Sequence, residues 1–536
     1  GDKVVVEIIN FPRSGRQGDG VIIEVLGQAG SPGVDTLTIM REFNLPDHFK
    51  SEIRHAARDL AEAFDEDTIP KDRRDLTGET TVTIDPIDAR DYDDAISLTR
   101  NEKGHWLLGV HIADVSYFVE RDGPIDIEAR RRATSVYLPD CVIPMLPEVL
   151  SNGLASLQPD KQRLTKTVFM EFDSEGVQVH TEICNSVIRS DRRLTYEEVD
   201  RFLEDPKPHE KTFGTEVFNL LDRMHRLAMM LRMRRYQRGS LELDIPDVKI
   251  ELDDCSRVVG ARVIDNTVSH QIIEEFMLAA NESVAELLAN EKIDFLRRIH
   301  TPPSHLKLHE FGDFVEELFH NDMAVIEDEE GEPITSRFRI QRLLKAVENR
   351  PERHAVNLFL LRSLQRAVYA PEEEGHFALA SPCYCHFTSP IRRYPDLVIH
   401  RIVDQMLKKK RPVEHLGLLR ELGEHCSDCE RRAEQAEREL TKLKLLDFMS
   451  HRIGMEMDGV ITGVENFGFF VQGLDIPAEG LVRIDTLGDD HYHYDRATLT
   501  IVGYRLGNQF RLGDRLRVKV ENVDLARRRM DLSIVR

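Results

Sequence analysis

The sequence predicts an α+β multidomain protein in which a large mixed body is flanked by β-barrel segments of the OB type. Three observations carry that prediction. Both ends of the chain consist of short alternating apolar stretches separated by Gly-rich turns. The middle mixes strands with long helices whose apolar residues recur every three or four positions. At 536 residues the chain also exceeds what one ordinary core accommodates, so two to four domains are expected.

Residues 1 to about 45 alternate in the strand manner (Val4, Val6, Ile8, then Val21, Ile23, Val25), with Gly-rich turns at Ser14 to Gly20 and Gly27 to Gly33. This reads as a small piece of β-barrel. From about Asp47 the pattern turns helical, and Pro70 begins a polar connector to a strand at Thr81 to Ile84. In the middle, strands are expected at Trp106 to Ile112 and Thr167 to Phe172, and helices at Glu216 to Gln237, Ser269 to Leu288 and Cys426 to Met449. The acidic run Glu327 to Glu332 reads as a solvated loop. After Arg452 the chain returns to about five short strands with Gly turns, the pattern of a small OB-type barrel. The resulting division is 1–50, a linker at 51–74, a body at 75–452 and a last barrel at 453–536.

Composition excludes several classes. Apolar residues make up 41% and charged residues 31%, and no apolar run reaches the roughly 18 residues a membrane helix needs. The start, GDKVVVEIINF, has no signal-peptide character and no initiator Met, so a trimmed, cytoplasmic chain is expected. Seven scattered cysteines do not make a disulfide framework and fit a reducing compartment. The net charge of −23 argues against a nucleic-acid partner. The last 36 residues reverse that sign locally, with nine basic against four acidic side chains, a net +5 able to steer a polyanion.

The most informative segment is TIDPIDARDYDDA, residues 83 to 95, with carboxylates at Asp85, Asp88, Asp91, Asp93 and Asp94. Five in ten residues repel one another unless solvent or a cation separates them. Hard oxygen donors suit magnesium, and Pro86 turns the strand into a loop that could aim several carboxylates at one point. Two ions there could activate a water and stabilise a leaving oxygen. On spacing alone an acidic surface loop or a calcium loop is equally compatible, although the Gly and final Glu of an EF-hand are missing.

Further motifs decide between these readings. The aspartate segment, GVHIADVSYFV (109 to 119), SVYLPDCVIPMLPEVLSNGLASLQP (135 to 159), LTYEEV (194 to 199), IIEEFMLAANESVAELL (272 to 288), HFTSPIRRYPDLVIHR (386 to 401) and ERRAEQAERELTK (430 to 442) follow one another in order. Together they resemble the RNase II and RNase R family, the RNB-domain exoribonucleases, from about Asp75 to Met449. The wording PGVD and TIDPIDARD is nearer the RNase R branch. The C-terminal segment resembles an S1-type RNA-binding domain, and the N-terminal one the latter part of a cold-shock domain. The expected architecture is therefore an RNB catalytic domain between a partial cold-shock domain and an S1-type domain.

The resemblance implies roles residue by residue. Asp85, Asp91, Asp93 and Asp94 would serve a site for magnesium, with one or two ions and manganese as a substitute, and Asp93 would be the one indispensable for hydrolysis. Asp88 falls at a variable position and is excluded. Arg392 would contact the scissile phosphate with Glu437 as its neighbour, and Arg393 would assist in RNA binding. Tyr137 would stack on the 3′-terminal base, and Tyr196 with Glu274 or Glu275 would read the ribose 2′-hydroxyl. A second aromatic clamp is expected near residues 239 to 247, where this chain offers Leu241 and Leu243. In the last barrel, Phe467, Phe469 and Phe470 interleave with glycines as stacking platforms do, with at least one of the three in the core. Arg483, Arg511 and Lys519 would track phosphates, and Arg232, Arg234, Arg235 and Arg238 would line an RNA entrance.

Taken as ordinary structure, each lone residue reads differently: Tyr137 as packing, the arginines as salt bridges, Glu437 as helix surface. HCSDC (425 to 429) is one Cys-x-x-Cys opening a helix and is read as structural, as are Cys383 and Cys385 on a strand. DDHYHYD (489 to 495) is read as a loop and not as a metal site. The expected activity is processive hydrolytic 3′-to-5′ digestion of RNA with a free 3′ end, by a monomer without an obligate protein partner and away from membranes. The alternative is a catalytically weak RNA-binding regulator; the intact aspartates and Arg392 weigh against it.

Overall fold

The computed structural model describes the chain apart from residues 12–16, 67, 244–246, 255, 265, 320–335, 351, 413–414, 489, 496–498 and 536 and the side chains of residues 247, 262 and 263. The acidic run at 327–332 lies outside the described residues, as do parts of the 14–20 turn, of the 239–247 stretch and of the 489–495 segment.

Among the described residues, strands β1 (Asp2–Asn10) and β2 (Asp19–Gln28) pair only with each other. The expected barrel piece is thus a single antiparallel hairpin. Among the described residues Val6, Ile8, Ile9, Val21, Ile22, Ile23 and Val25 are exposed, while Glu24 is tied to Arg41 of the next helix at 2.7 Å. The helix Val34–Glu42 that follows packs Ile39 and Met40 against the body.

The body is organised around β3 (Arg74–Asp75), β4 (Val82–Asp85), β5 (Asp94–Arg100), β6 (Trp106–Ala113), β7 (Val136–Tyr137), β8 (Val142–Ile143), β9 (Gln162–Phe172), β10 (Gln178–Arg189) and β11 (Arg192–Thr195). Seven of these form one sheet in the order β11-β4-β5-β6-β9-β10-β3, while β7 and β8 make a separate small hairpin. Only the outer pairs β11/β4 and β10/β3 are parallel. The strand β6 reads as a nearly continuous apolar run, and with Ala95, Ile96 and Leu98 of β5 it is buried beneath helices that include Thr215–Gln237 and Val268–Asn290. Near the sheet's edge β4 and β5 end and begin with carboxylates, which is what exposes the 85–94 loop at one end of an otherwise apolar core.

The long helix Leu416–Ser450 ties the modules together. It starts ten residues before the expected Cys426, because Gly417 and Gly423 weaken the helical signal of that stretch. Gly423 is needed: a Cβ there would stand 2.4 Å from the Tyr369 carbonyl oxygen. Cys426 and Cys429 consequently sit inside the helix, buried. Cys383 and Cys385 lie on an irregular segment and not on a strand. All six described cysteines are free. Farther along, the helix packs Ala436 and Leu440 with Val136, Leu138 and Ile143, and its end contributes Leu445, Leu446, Phe448 and Met449 to the core of the last barrel.

That barrel is closed and five-stranded. Strands β12 (Asp247–Leu252) and β13 (Val258–Ile264) form a hairpin beside it, and β14 (Arg297–Ile299) pairs with β15 (Val368–Ala370). The barrel comprises β16 (Glu456–Glu465), β17 (Gly468–Gly473), β18 (Glu479–Arg483), β22 (Arg515–Asp524) and β23 (Arg529–Ile534). Between β18 and β22 a three-stranded sheet of β19 (Tyr492–Asp495), β20 (Thr500–Gly503) and β21 (Gln509–Arg511) is inserted. Tyr492–Asp495 is therefore a strand where a loop was expected: Tyr492 and Tyr494 alternate with His493, and only the pairing partner at Thr500–Gly503 makes that alternation a strand. Among the described residues no helix is long and apolar enough to cross a membrane.

Candidate active site

The aspartate loop is shaped from its two ends. Thr195 of β11 stands opposite Asp85 of β4, so the helix Tyr196–Glu204 begins beside the first carboxylate. A capping box fixes that start: Thr195 Oγ1 accepts from the Glu198 N–H at 3.2 Å, and the Thr195 N–H donates to Glu198 Oε2 at 2.8 Å. Asp94 opens β5 opposite Ile112. In between, Tyr92 is held by its backbone, donating to Ser156 Oγ at 3.1 Å and accepting from the Leu157 N–H at 3.0 Å.

Arg193, which sequence reasoning missed, clamps the loop. One of its terminal nitrogens donates to the carbonyls of Pro86 and Ile87 at 2.6 and 3.0 Å, and its guanidinium lies 5.6 Å from the centre of the Tyr92 ring. Nothing local marks it, since it is about 100 residues from the loop and becomes adjacent only through the parallel β11/β4 pairing.

Asp93 is buried and accepts the Ile391 N–H at 3.0 Å, while Arg392 Nε lies 3.7 Å from its other oxygen. The Arg392 side chain is 45% exposed, which leaves its guanidinium open to an anion. Its segment is stitched to the residues before β7: the Ser135 N–H donates to the Arg392 carbonyl at 2.9 Å, and the Tyr394 N–H to that of Ala133 at 2.9 Å. Tyr137 follows directly, 40% exposed, and its hydroxyl donates to Asp91 Oδ2 at 3.3 Å. Aspartates, arginine and aromatic ring thus belong to one connected arrangement.

Burial pushes the Asp85 carboxyl up to about 8, with the neighbouring Asp94 charge adding to the rise. Burial also raises Asp94, to about 6, against the pull of Arg392. Asp93 lies well above the ordinary carboxylate range for the same reason, with Arg392 and the Ile391 N–H opposing. In addition, Asp85 Oδ2 is buried without a hydrogen-bond partner. An orphaned buried oxygen amid carboxyls that resist ionisation is the environment a divalent cation would relieve, so the donor set fits a hard metal ion. As they stand, the side chains do not converge as expected: among the described residues no three His, Cys, Asp or Glu groups form a cluster able to hold an ion. Repulsion among uncompensated carboxylates opposes such a cluster, and Tyr137 and Ile391 occupy Asp91 and Asp93 meanwhile.

The remaining candidates divide. Asp88 is exposed and paired with Lys249 at 2.8 Å, apart from the other aspartates. Tyr196 stacks on His270, a partner the sequence did not reveal, with ring centres 3.9 Å apart, and burial followed by the Asp94 and Asp85 charges raises its hydroxyl's pKa. Glu275 is buried against Arg235 at 2.5 Å, whereas Glu274 is 44% exposed, so of the two only Glu274 presents its carboxylate to solvent. Glu437 lies on the exposed side of Leu416–Ser450, next to buried Ala436.

Three expectations are corrected. Arg393 turns onto Asp396 at 2.7 Å, inside the start of helix Tyr394–Leu407, and is structural rather than an open RNA contact. Phe469 is fully buried and stacks on Phe510 at 4.9 Å, because alternation along β17 sends it into the barrel; Phe467, before the strand, is 49% exposed. Leu241 and Leu243 pack with Phe311, Phe314 and Ile340 in a helical subcluster and stand in for no aromatic clamp. The expected entrance arginines are engaged as well: Arg232 with Glu242, Arg235 with Glu275, Arg238 with Glu282, and Arg234 with the Glu175 carbonyl.

Comparison with known proteins accounts for this arrangement. The RNB domain pattern matches residues 73–409, the cold shock domain pattern 1–50 and the S1 RNA binding domain pattern 450–535. Ribonuclease R of Thermotoga maritima is 38% identical over 552 residues, covering 99% of this chain and 75% of the relative. The structure of Mycoplasma genitalium RNase R in complex with ribose-methylated single-stranded RNA superposes with a TM-score of 0.90 at 29% identity, covering 100% of this chain and 83% of that one. Its complex with double-stranded RNA gives 0.85 at 28%, covering 100% and 88%. The chain belongs to the RNB-domain ribonucleases, in the branch of the ribonucleases R.

Proposed function

We propose that this protein is a processive, hydrolytic 3′-to-5′ exoribonuclease that takes RNA with a free 3′ end and releases nucleoside 5′-monophosphates. The observation that carries the reading is the connection just described: Asp93 is fixed by the Ile391 N–H beside Arg392, and Asp91 is hydrogen-bonded to Tyr137. A phosphate ligand, a base-sized aromatic ring and acidic groups are thereby held a fixed distance apart, as end-on cleavage requires.

Asp85, Asp91, Asp93 and Asp94 are the residues that would hold magnesium, as one ion or two, with manganese as a substitute. Bound there, the metal would offset phosphate charge and make a coordinated water more acidic. Arg392 binds the phosphate and opposes the charge that builds on it, its guanidinium aimed by Ser389 Oγ at 3.1 Å. Tyr137 stacks on the terminal base and accepts any of the four, since each has a π face. Tyr196 and Glu274 offer polar groups to a ribose 2′-hydroxyl, and Glu437 supports the Arg392 side of the site. Phe467 supplies a platform on the last barrel. The reading includes a monomer in a reducing, cytoplasmic setting. The RNase R likeness extends the reading to duplexes with a 3′ overhang; recovery of the duplex with only its overhang trimmed would count against that extension.

The test is incubation of 5′-labelled single-stranded RNA with the protein and magnesium, with and without chelator, beside Asp93→Asn. Stepwise shortening from the 3′ end that stops with chelator and in the variant is expected. Shortening that persists in Asp93→Asn overturns the assignment.

A further inference from the structure

Behind the aspartate loop lies a cavity of about 630 Å³ lined by Arg90, Tyr92, Glu148, Asn152, Gly153 and Gln158, among others. Its size falls within the roughly 300–1,000 Å³ of small-molecule sites. Arg90 and Tyr92 line it, while the alternate residues Asp91 and Asp93 do not and are bonded instead to Tyr137 and Ile391. The loop therefore serves two spaces at once. Its aspartates belong to the one where a phosphodiester would be cut, and its arginine and tyrosine to the other.

The lining has a definite chemistry. Arg90 is exposed and makes no ion pair or side-chain hydrogen bond among the described residues, so its guanidinium is unengaged. Its carbonyl is fixed, accepting from Ser156 Oγ at 2.8 Å, so the base of the side chain is anchored while the charged end is not. Gln158 Nε2 donates to the Asn152 carbonyl at 2.7 Å, which orients the amide and leaves Gln158 Oε1 and Asn152 Nδ2 for a ligand. Gly153 has open space where a Cβ would stand, so a ligand can approach its backbone. Glu148 is exposed on the rim. A cation for a phosphate, a ring for a base, amides for base edges and a carboxylate for a ribose diol make up the complement of a nucleotide. Inorganic phosphate would leave most of these groups unused, and an apolar ligand would leave them unpaired.

We propose that this cavity is a product pocket that receives the nucleoside 5′-monophosphate after cleavage, with Arg90 on its phosphate and Tyr92 against its base. The inference rests on the exonuclease reading above. An enzyme that keeps hold of its RNA has the path of entry blocked by substrate, and each mononucleotide needs a separate way out. A receiving site one residue away from the carboxylates supplies it.

Adenosine 5′-monophosphate is the probe, with adenosine as the comparison. Calorimetry on the full chain should show the monophosphate binding at least about tenfold more tightly than adenosine, the size of a charge-assisted phosphate contact. Arg90→Ala should weaken the monophosphate by on the order of tenfold and leave adenosine within twofold, with Arg90→Lys restoring part of the loss. The same variant should keep its affinity for single-stranded RNA and its single-turnover rate of first cleavage within about twofold, while product inhibition in steady state weakens in parallel with binding. A double variant, Asn152→Ala with Gln158→Ala, should weaken both ligands alike and serves if Arg90→Ala fails to fold. Unchanged monophosphate affinity in these variants overturns the pocket. So does an equal loss of RNA affinity, which would place the RNA chain itself there. If the wild type shortens no RNA, the exonuclease reading fails; if it shortens RNA while Arg90 is irrelevant to the monophosphate, only the pocket fails.

Discussion

The Tyr137 hydroxyl donates a hydrogen bond to Asp91 Oδ2 at 3.3 Å, so the ring proposed to grip the RNA end is tied to a carboxylate of the proposed metal site. Stacking and carboxylate placement can be separated by substitution. Tyr137→Phe keeps the ring and releases Asp91; Tyr137→Ala loses both. Affinity for single-stranded RNA, read by fluorescence anisotropy in the Asp93→Asn background, should fall by on the order of tenfold for Tyr137→Ala and stay within about twofold for Tyr137→Phe. Equal losses in the two would mean that the hydroxyl, and not the ring, holds the RNA.

Arg193 reaches both limbs of the aspartate loop, through the Pro86 and Ile87 carbonyls and the face of Tyr92. It touches neither metal nor substrate in the mechanism proposed, and its part is positioning. Arg193→Ala should raise the magnesium concentration for half-maximal activity about tenfold, in the range seen when an outer partner of a metal ligand is lost. Affinity for RNA should not change. Arg193→Lys should recover only part, because an ammonium lacks the planar fork that spans carbonyls and ring together. A uniform drop in rate at every magnesium concentration would assign Arg193 to stability instead.

These cases show what a linear sequence reveals. The carboxylates were legible because they are neighbours in the chain, and the end of an apolar strand at Asp85 marks where they emerge. Arg193 was not, because its contact is created by the pairing of β11 with β4, and pairing is a long-range choice. Arg392 and Arg393 look alike in sequence; the start of helix Tyr394–Leu407 separates them, placing Asp396 under one guanidinium and leaving the other half exposed. The first hairpin shows a different limit. Its alternation predicted strands correctly, but alternation alone does not say which of the apolar side chains are buried. Helix ends suffer likewise, since Gly423 is unfavourable in any local account and required by the nearby Tyr369 carbonyl.

Phe467 and Phe469 are two residues apart and should respond oppositely. Phe469 is buried against Phe510 in the barrel core, so Phe469→Ala should cost roughly 3–5 kcal/mol of stability, visible as a lower urea midpoint for the barrel. Phe467 is 49% exposed, and Phe467→Ala should leave that midpoint unchanged while weakening RNA binding several-fold through a lost stacking surface. A stability loss in both, with no change in RNA binding, would remove Phe467 from the interface.

The pH dependence of stability should report a buried charge cluster at the end of β6, one residue beyond Ala113, whose N–H donates to the Asp93 carbonyl at 2.8 Å. Asp114 is 1% exposed and faces Arg73 at 2.6 Å and Lys166 at 3.3 Å, with Ser116 donating to it at 2.5 Å. His400 also faces it, and Lys166 has a second carboxylate, Asp404, at 3.6 Å. Burial by itself would raise the Asp114 carboxyl, but the Lys166 and Arg73 charges outweigh it and hold the group well below the usual carboxylate range. A carboxyl with a folded pKa below its unfolded value of about 4 binds more protons when unfolded. Its contribution is therefore complete above about pH 4 and drains away as the pH falls from there toward the depressed folded value. The wild-type melting temperature should drop steeply below pH 4. Asp114→Asn leaves Arg73 and Lys166 buried without their main counter-charge, and a loss of about 3–5 kcal/mol at neutral pH is expected. The acid slope of the variant should be shallower by the proton that Asp114 no longer takes up. Parallel acid slopes in the two proteins would show that Asp114 ionises alike in the folded and unfolded chains, and the cluster would then contribute nothing to the pH dependence.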